Sequence, residues 1–193
     1  RCKGLAFEYL TNRLKNSFNC VMAAVEDWPY ALLRASDEMK VNKEIVSAAV
    51  RLDGGVLPYA SVEMRDDEEV VSSALATTTV PLLGCVSERL RNNRMIVMQA
   101  VMTFPGELKY ASRDLRSDLG VVLCAVGKSA LNHRYAGSLI RKQYPGLWLL
   151  ARISGARNLQ VDMDIIIKDK DLRTLWCDEI DYYDATAHKL RRR

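Results

Sequence analysis

The sequence is short of the residues that build metal and catalytic centres. Its 193 residues include two histidines, His133 and His188, and five cysteines, Cys2, Cys20, Cys85, Cys124 and Cys177. No two cysteines stand in a CxxC spacing, which excludes a zinc site of the finger type. An odd, scattered set in a chain this long points to an intracellular, reducing compartment rather than a disulfide framework. A nucleophilic cysteine needs a neighbouring base, and neither histidine has a defined place beside one. The glycines form no P-loop and no dinucleotide fingerprint, and no serine stands in a nucleophile elbow. The expectation is a chain that is not an enzyme, with no catalytic residues, no cofactor and no metal.

Long apolar runs are missing too. Val121 to Val126 is among the longest, far below the ~20 residues of a membrane span. No transmembrane segment is expected. Charge of one sign is also scarce in excess: 28 basic against 24 acidic residues give +4. That balance permits an acidic partner without arguing for one. Dedicated nucleic-acid binders carry a stronger or more clustered excess. The first residue is Arg1 rather than methionine, so a processed or truncated chain is expected.

What the sequence does have is a period. Ala24-Val25, Ala49-Val50, Ala74-Leu75, Ala100-Val101 and Ala125-Val126 follow one another at steps of 25, 25, 26 and 25. Ala35, Ala60, Val86, Ala111 and Ala136 form a second column in the same register. A third is Met39-Lys40, Met64-Arg65, Leu90-Arg91, Leu115-Arg116 and Ile140-Arg141, with Leu14-Lys15 extending it backwards. Three columns in one register define repeats at 17–41, 42–66, 67–92, 93–117 and 118–142.

Each repeat reads as two short helices. Ser17, Asn42, Asp67, Asn93 and Asp118 are capping residue types, able to accept from the free N–H groups of a first helical turn. After Asp67, Val70, Val71, Ala74 and Leu75 recur at helical spacing and make one apolar face. The second helix starts after a breaker: Pro29, Gly54-Gly55, Pro81, Pro105-Gly106 or Gly127. It ends at Arg65 or its equivalents. Within it the positions Ser36, Ser61, Ser87, Ser112 and Gly137 are uniformly small, with Thr11 in the same register. Small side chains let neighbouring helices approach closely. A 25-residue helix pair cannot bury its apolar face alone, but a row of them can. The expected fold is therefore mainly α: an α-helical solenoid of short helix pairs over residues 1–151.

The last part of the chain reads differently. Leu159, Val161, Met163 and Ile165 alternate with Gln160, Asp162 and Asp164, the period of a half-buried strand. Residues 152–193 are expected to form a small β-containing appendage with a strand at 159–167. Asp162 and Asp164 share one face, which in two alternating acids is the ordinary solvent side of a strand.

The repeats resemble the family catalogued as domain of unknown function 4116, whose units have the form EVVxAAVxxxGxxLxYASxELRxD. The matching text is KEIVSAAVRLDGGVLPYASVEMRDD at 43–67 and RMIVMQAVMTFPGELKYASRDLRSD at 94–118. Cys85-Val86-Ser87 departs from its Tyr-Ala-Ser, and GKSALNHRYAG at 127–137 is irregular. The resemblance covers about three quarters of the chain. It implies a helical-repeat fold with no established enzymatic activity, found mostly in algal and other protist proteins and in some bacteria. It admits a chloroplast or a mitochondrion as the compartment.

Candidate partner-binding residues follow from the pattern. The basic column Lys15, Lys40, Arg65, Arg91, Arg116 and Arg141 would recur about every 10 Å along a solenoid, a positive stripe for phosphates or an acidic protein. The same position is explained by a cation in the last turn of a helix, where it complements the dipole. Tyr59, Tyr110 and Tyr135 read as a packing spine before a base-stacking platform. His133 breaks a column of Leu32, Leu57, Leu83 and Leu108. Arg191, Arg192 and Arg193 end the chain and would make a weak, salt-sensitive anionic contact. The leading expectation is an interaction or structural subunit of a larger assembly, with other protein subunits as partners. The alternatives are a nucleic-acid-binding solenoid, RNA or ribosome associated, and a regulatory fragment of a longer enzyme.

Overall fold

The structure, a computed structural model, describes residues 11–144. The expected strand at 159–167, the rest of the 152–193 appendage and Arg191 to Arg193 lie outside the described residues. The chain divides into two compact units, Arg1–Ser112 and Arg113–Arg193. The fold is mainly helical: among the described residues every regular element is an α-helix or a 3-10 helix.

In the first unit four ten-residue α-helices carry the architecture: α1 (Phe18–Asp27), α2 (Lys43–Leu52), α3 (Glu68–Thr77) and α4 (Arg94–Thr103). A fifth, α5 (Leu119–Lys128), lies in the second unit. Their starts are set by the capping column. Asn42 Oδ1 accepts from the N–H groups of Glu44 at 3.0 Å and Ile45 at 3.2 Å. Asp67 does the same for Glu69 and Val70, Asn93 for Met95 and Ile96, and Asp118 for Val121. Ser17 has the extended cap backbone without the side-chain bond. Each helix ends one residue before an extended one: the N–H of Trp28, Asp53, Thr78 and Phe104 donates to the carbonyl of the column alanine four residues back. Ser129 closes α5 on Ala125 in the same way.

The second half of each 25-residue segment departs from the expected single helix. A 3-10 helix comes first: Pro29–Arg34, Gly54–Tyr59, Leu83–Cys85, Pro105–Tyr110 and, in the second unit, Ala130–Tyr135. The chain then straightens at the small column and turns into a separate short helix, such as Asp37–Val41 or Glu88–Arg91. The physical reason is capping. Ser36 has φ −65° and ψ 161°, outside the helical region, and its Oγ accepts from the N–H of Met39. Ser61 and Ser87 cap Met64 and Leu90 likewise. These serines are thus breaks in the helix as well as small spacers.

The apolar columns form the core. Ile45, Val46, Ala49 and Val50 of α2 are fully buried, and α3 and α4 bury the equivalent four residues almost completely. From the 3-10 helices Leu32, Leu57, Leu83 and Leu108 are all at 0% exposure. Burying one such leucine contributes roughly 2 kcal/mol. Helices α1 and α2, α2 and α3, and α3 and α4 are neighbours. Gly54 marks the tightest approach: a Cβ there would sit 1.9 Å from the carbonyl oxygen of Ala74 on α3. In the second unit Val121, Val122, Ala125 and Val126 of α5 are buried.

Candidate interaction surface

The basic column and the small column meet through the main chain. In the first unit the N–H of Ser36, Ser61, Ser87 and Ser112 donates to the carbonyl of Lys15, Lys40, Arg65 and Arg91, at 3.1, 3.2, 3.2 and 3.0 Å. In the second unit Gly137 donates to Arg116 at 2.6 Å. One bond therefore recurs between successive 25-residue segments, made each time by equivalent residues. The serine hydroxyls reinforce it. Ser36 Oγ donates to Asn16 Oδ1 at 2.5 Å and Ser112 Oγ to Asn92 Oδ1 at 2.6 Å, while Ser87 Oγ donates to the Asp66 carboxylate. That hydroxyl, helped by Arg89, holds the Asp66 carboxyl below its ordinary range.

The side chains of the basic column are drawn into these junctions to differing degrees. Lys15, Lys40, Arg65, Arg91 and Arg116 are half-buried, and Arg141 is exposed. Arg65 Nη1 donates to the Cys85 carbonyl at 3.3 Å. The Nε atoms of Arg65 and Arg91 are buried with no hydrogen-bond partner among the described residues, and so is that of Arg116. Lys40 Nζ lies 3.6 Å from Asp37, one helical turn back. On another face Lys43 joins Asp67 at 2.9 Å and Glu69 at 2.8 Å, and these carboxylates raise its pKa, Glu69 most.

Glu107 was not singled out from the sequence. It is 1% exposed, and its Oε1 accepts from the backbone N–H of Leu83. Oε2 has no partner among the described residues. Burial pushes its pKa up to about 7, against the opposing pull of the Leu83 and Leu82 N–H groups and of Lys109. The signal was present in the register: Glu107 follows Ala31, Val56 and Leu82 in an otherwise apolar column. In the segment before it, which holds the 26-residue step, the 3-10 helix is only Leu83–Cys85. The acid supplies from the next segment the acceptor that the shortened turn leaves to be found. Asn132, the next residue in that column, is also buried and donates to the carbonyls of Ala125 and Ser129.

The aromatic column does not form one platform. Tyr59 packs edge-on against Tyr30, with ring centroids 6.0 Å apart, and Tyr30 packs against Trp28. Burial and the Asp53 carboxylate raise the Tyr30 pKa. Tyr110 is exposed, lies over Gly84 and carries Lys109 Nζ 4.6 Å from its ring centroid. Tyr135, in the second unit, is faced by Arg134 at 4.8 Å. His133 is half-buried in the 3-10 helix, where its leucine counterparts are fully buried. Burial raises the Cys85 thiol pKa, despite the nearby Arg65. Cys20 and Cys124 are half-buried rather than deep in the core. Among the described residues no group of three or more His, Cys, Asp or Glu side chains could hold a metal ion. Nor is any described helix long and apolar enough to cross a membrane.

A mainly helical chain with one junction repeated along it is the class these features define. The model of the family described as Domain of unknown function (DUF4116) matches residues 1–40 and 80–116, so those stretches are similar to that family. The two matches end at Lys40 and Arg116, equivalent positions of the basic column. No curated protein and no solved structure matches the chain.

Proposed function

We propose that the chain is a helical-repeat solenoid acting as a non-catalytic interaction or structural subunit of a larger assembly. The observation that carries this reading is the recurring main-chain bond between basic and small columns. It supports an array whose charged residues serve its joints: Arg65 bonds a backbone carbonyl, and its Nε is buried in the junction. An array of this kind presents extended side faces, which suit protein subunits as partners. The reading places the chain in an intracellular, reducing compartment, with an organelle as the first to examine. The test is the size of the endogenous protein in a native extract. A high-mass form that persists after nuclease treatment and in moderate salt is expected, and a free monomer throughout would refute the reading.

A second reading, nucleic-acid binding, is favoured by one observation. Over residues 113–144 Arg113, Arg116, Lys128, Arg134, Arg141 and Lys142 stand against only Asp114 and Asp118. Filter binding of RNA at two salt concentrations tests it, because phosphate contacts weaken steeply with salt. Absence of salt-dependent binding removes this reading.

A further inference from the structure

Among the described residues Glu107 is the one ionisable side chain in the core. It sits where two successive segments meet. Its own 3-10 helix, Pro105–Tyr110, runs six residues, as do Pro29–Arg34 and Gly54–Tyr59. The turn it faces is only Leu83–Cys85, and Thr79, Val80 and Pro81 ahead of that turn are exposed. The longer helix grips the short turn at two points. Glu107 Oε1 accepts from the Leu83 N–H. The Tyr110 ring lies against Gly84, close enough that a Cβ there would stand 3.2 Å from it, and Lys109 Nζ lies over the same ring.

We propose that Glu107 is a pH-operated latch between these two segments, closed when the carboxyl is neutral and released when it ionises, which frees the turn from Leu82 to Cys85. The two states differ in what burial leaves unanswered. A neutral acid keeps Oε1 as the acceptor for Leu83 and leaves a hydroxyl without a partner. An ionised acid leaves a full charge among apolar neighbours, with Oε2 bonded to no described residue. A buried unpaired charge costs far more than a buried unpaired hydroxyl, so ionisation draws water to Oε2. Few charges oppose this. Lys109 on the same helix favours the anion, and Cys85 is the titratable group of the short turn. Arg65 reaches the Cys85 carbonyl rather than the acid. Helix α4, which packs on the Glu107 helix, carries Arg94 alone, at its first residue. The pKa of about 7 puts the change between the two states near neutrality.

The short turn is the side that yields. The Glu107 helix is closed at both ends by its own main chain, Glu107 N–H to Phe104 and Ala111 N–H to Leu108. The Leu83 turn has half that length and an exposed lead-in, the marks of a segment that opens locally. The latch needs only the two segments it joins.

The test is hydrogen exchange of the backbone amides at pH 5 and pH 8, on the full chain and on Glu107→Gln. Rates are expressed as protection factors, which removes the intrinsic effect of pH. The Leu83 and Cys85 amides should lose about tenfold in protection from pH 5 to pH 8. The Ala60 amide, which closes the uninterrupted Gly54–Tyr59 helix, should change little. Glu107→Gln still accepts from Leu83 but cannot ionise, and in it the loss should vanish. Equal losses at Leu83 and Ala60 overturn the proposal, because the chain then opens as a whole. The same loss in Glu107→Gln, or no loss in the native chain, overturns it too. If the variant does not fold, the contrast between Leu83 and Ala60 in the native chain decides alone.

Discussion

Replacing Glu107 separates two effects that its burial combines. The carboxyl holds the Leu83 N–H, and its pKa is raised from 4.5 to about 7. The folded state therefore holds this proton more tightly than the unfolded chain does. Its contribution to stability is full below about pH 4.5 and is lost as pH rises through about 7. A displacement of this size has a ceiling of roughly 3 kcal/mol at about 1.4 kcal/mol per pH unit, and solvent screening trims the expectation to about 1–2 kcal/mol. Glu107→Gln keeps an acceptor and cannot titrate. Glu107→Leu restores the residue type of Leu82 in the column and orphans the Leu83 N–H, at about 1–3 kcal/mol. Urea unfolding followed by circular dichroism at pH 5, 6, 7 and 8 resolves both effects. The native chain should lose about 1–2 kcal/mol relative to either variant between pH 5 and 8, and the Leu variant should lie below Gln throughout. Differencing cancels every other titrating group. Parallel pH curves for the native chain and Glu107→Gln would refute the buried-acid account.

Three further substitutions test the framework. Leu57→Ala empties a fully buried position and should cost about 2–5 kcal/mol in urea unfolding. Asn93→Ala removes the acceptor for two N–H groups at the start of α4; a loss of about 1 kcal/mol is expected, and no loss would mean the cap is idle. Gly54→Ala, which at an open site stabilises by about 0.4–1 kcal/mol, should instead lower the thermal midpoint, because the new Cβ meets the Ala74 carbonyl.

How far the sequence could be read differs by level. The ten-residue helices were legible because capping residue and apolar stripe agree: Asn42, Asp67, Asn93 and Asp118 all stand where their side chains close the first turn. Column burial was legible for the same reason, since an Ala-Val pair at a fixed helical phase has one inward direction. The second half of each segment was harder. A serine within a run of helix formers reads as a small spacer, and only its φ and ψ show that it starts a new helix. The basic column was legible as a pattern but not as a role. Spacing does not tell a stripe open to a partner from side chains such as Arg65 that fold back onto a carbonyl. Glu107 follows Ala31, Val56 and Leu82 at the repeat spacing, but one acid at the end of an apolar series carries no signal of its acceptor role, which depends on the Leu83 N–H of another segment.

The bond between successive segments has a consequence for how such a sequence can drift. Both its partners are peptide groups, so no exchange of side chain at Lys15, Lys40, Arg65 or Arg91 touches it. An exchange at Arg65 gives up its side-chain bond to the Cys85 carbonyl, but the main-chain fastening endures. Proline in place of a serine would delete the donor outright, and at Ser36 the backbone angle already suits its ring. A lineage could thus rewrite the outer surface almost at will and keep its scaffold, provided one ring never arrives at one nitrogen.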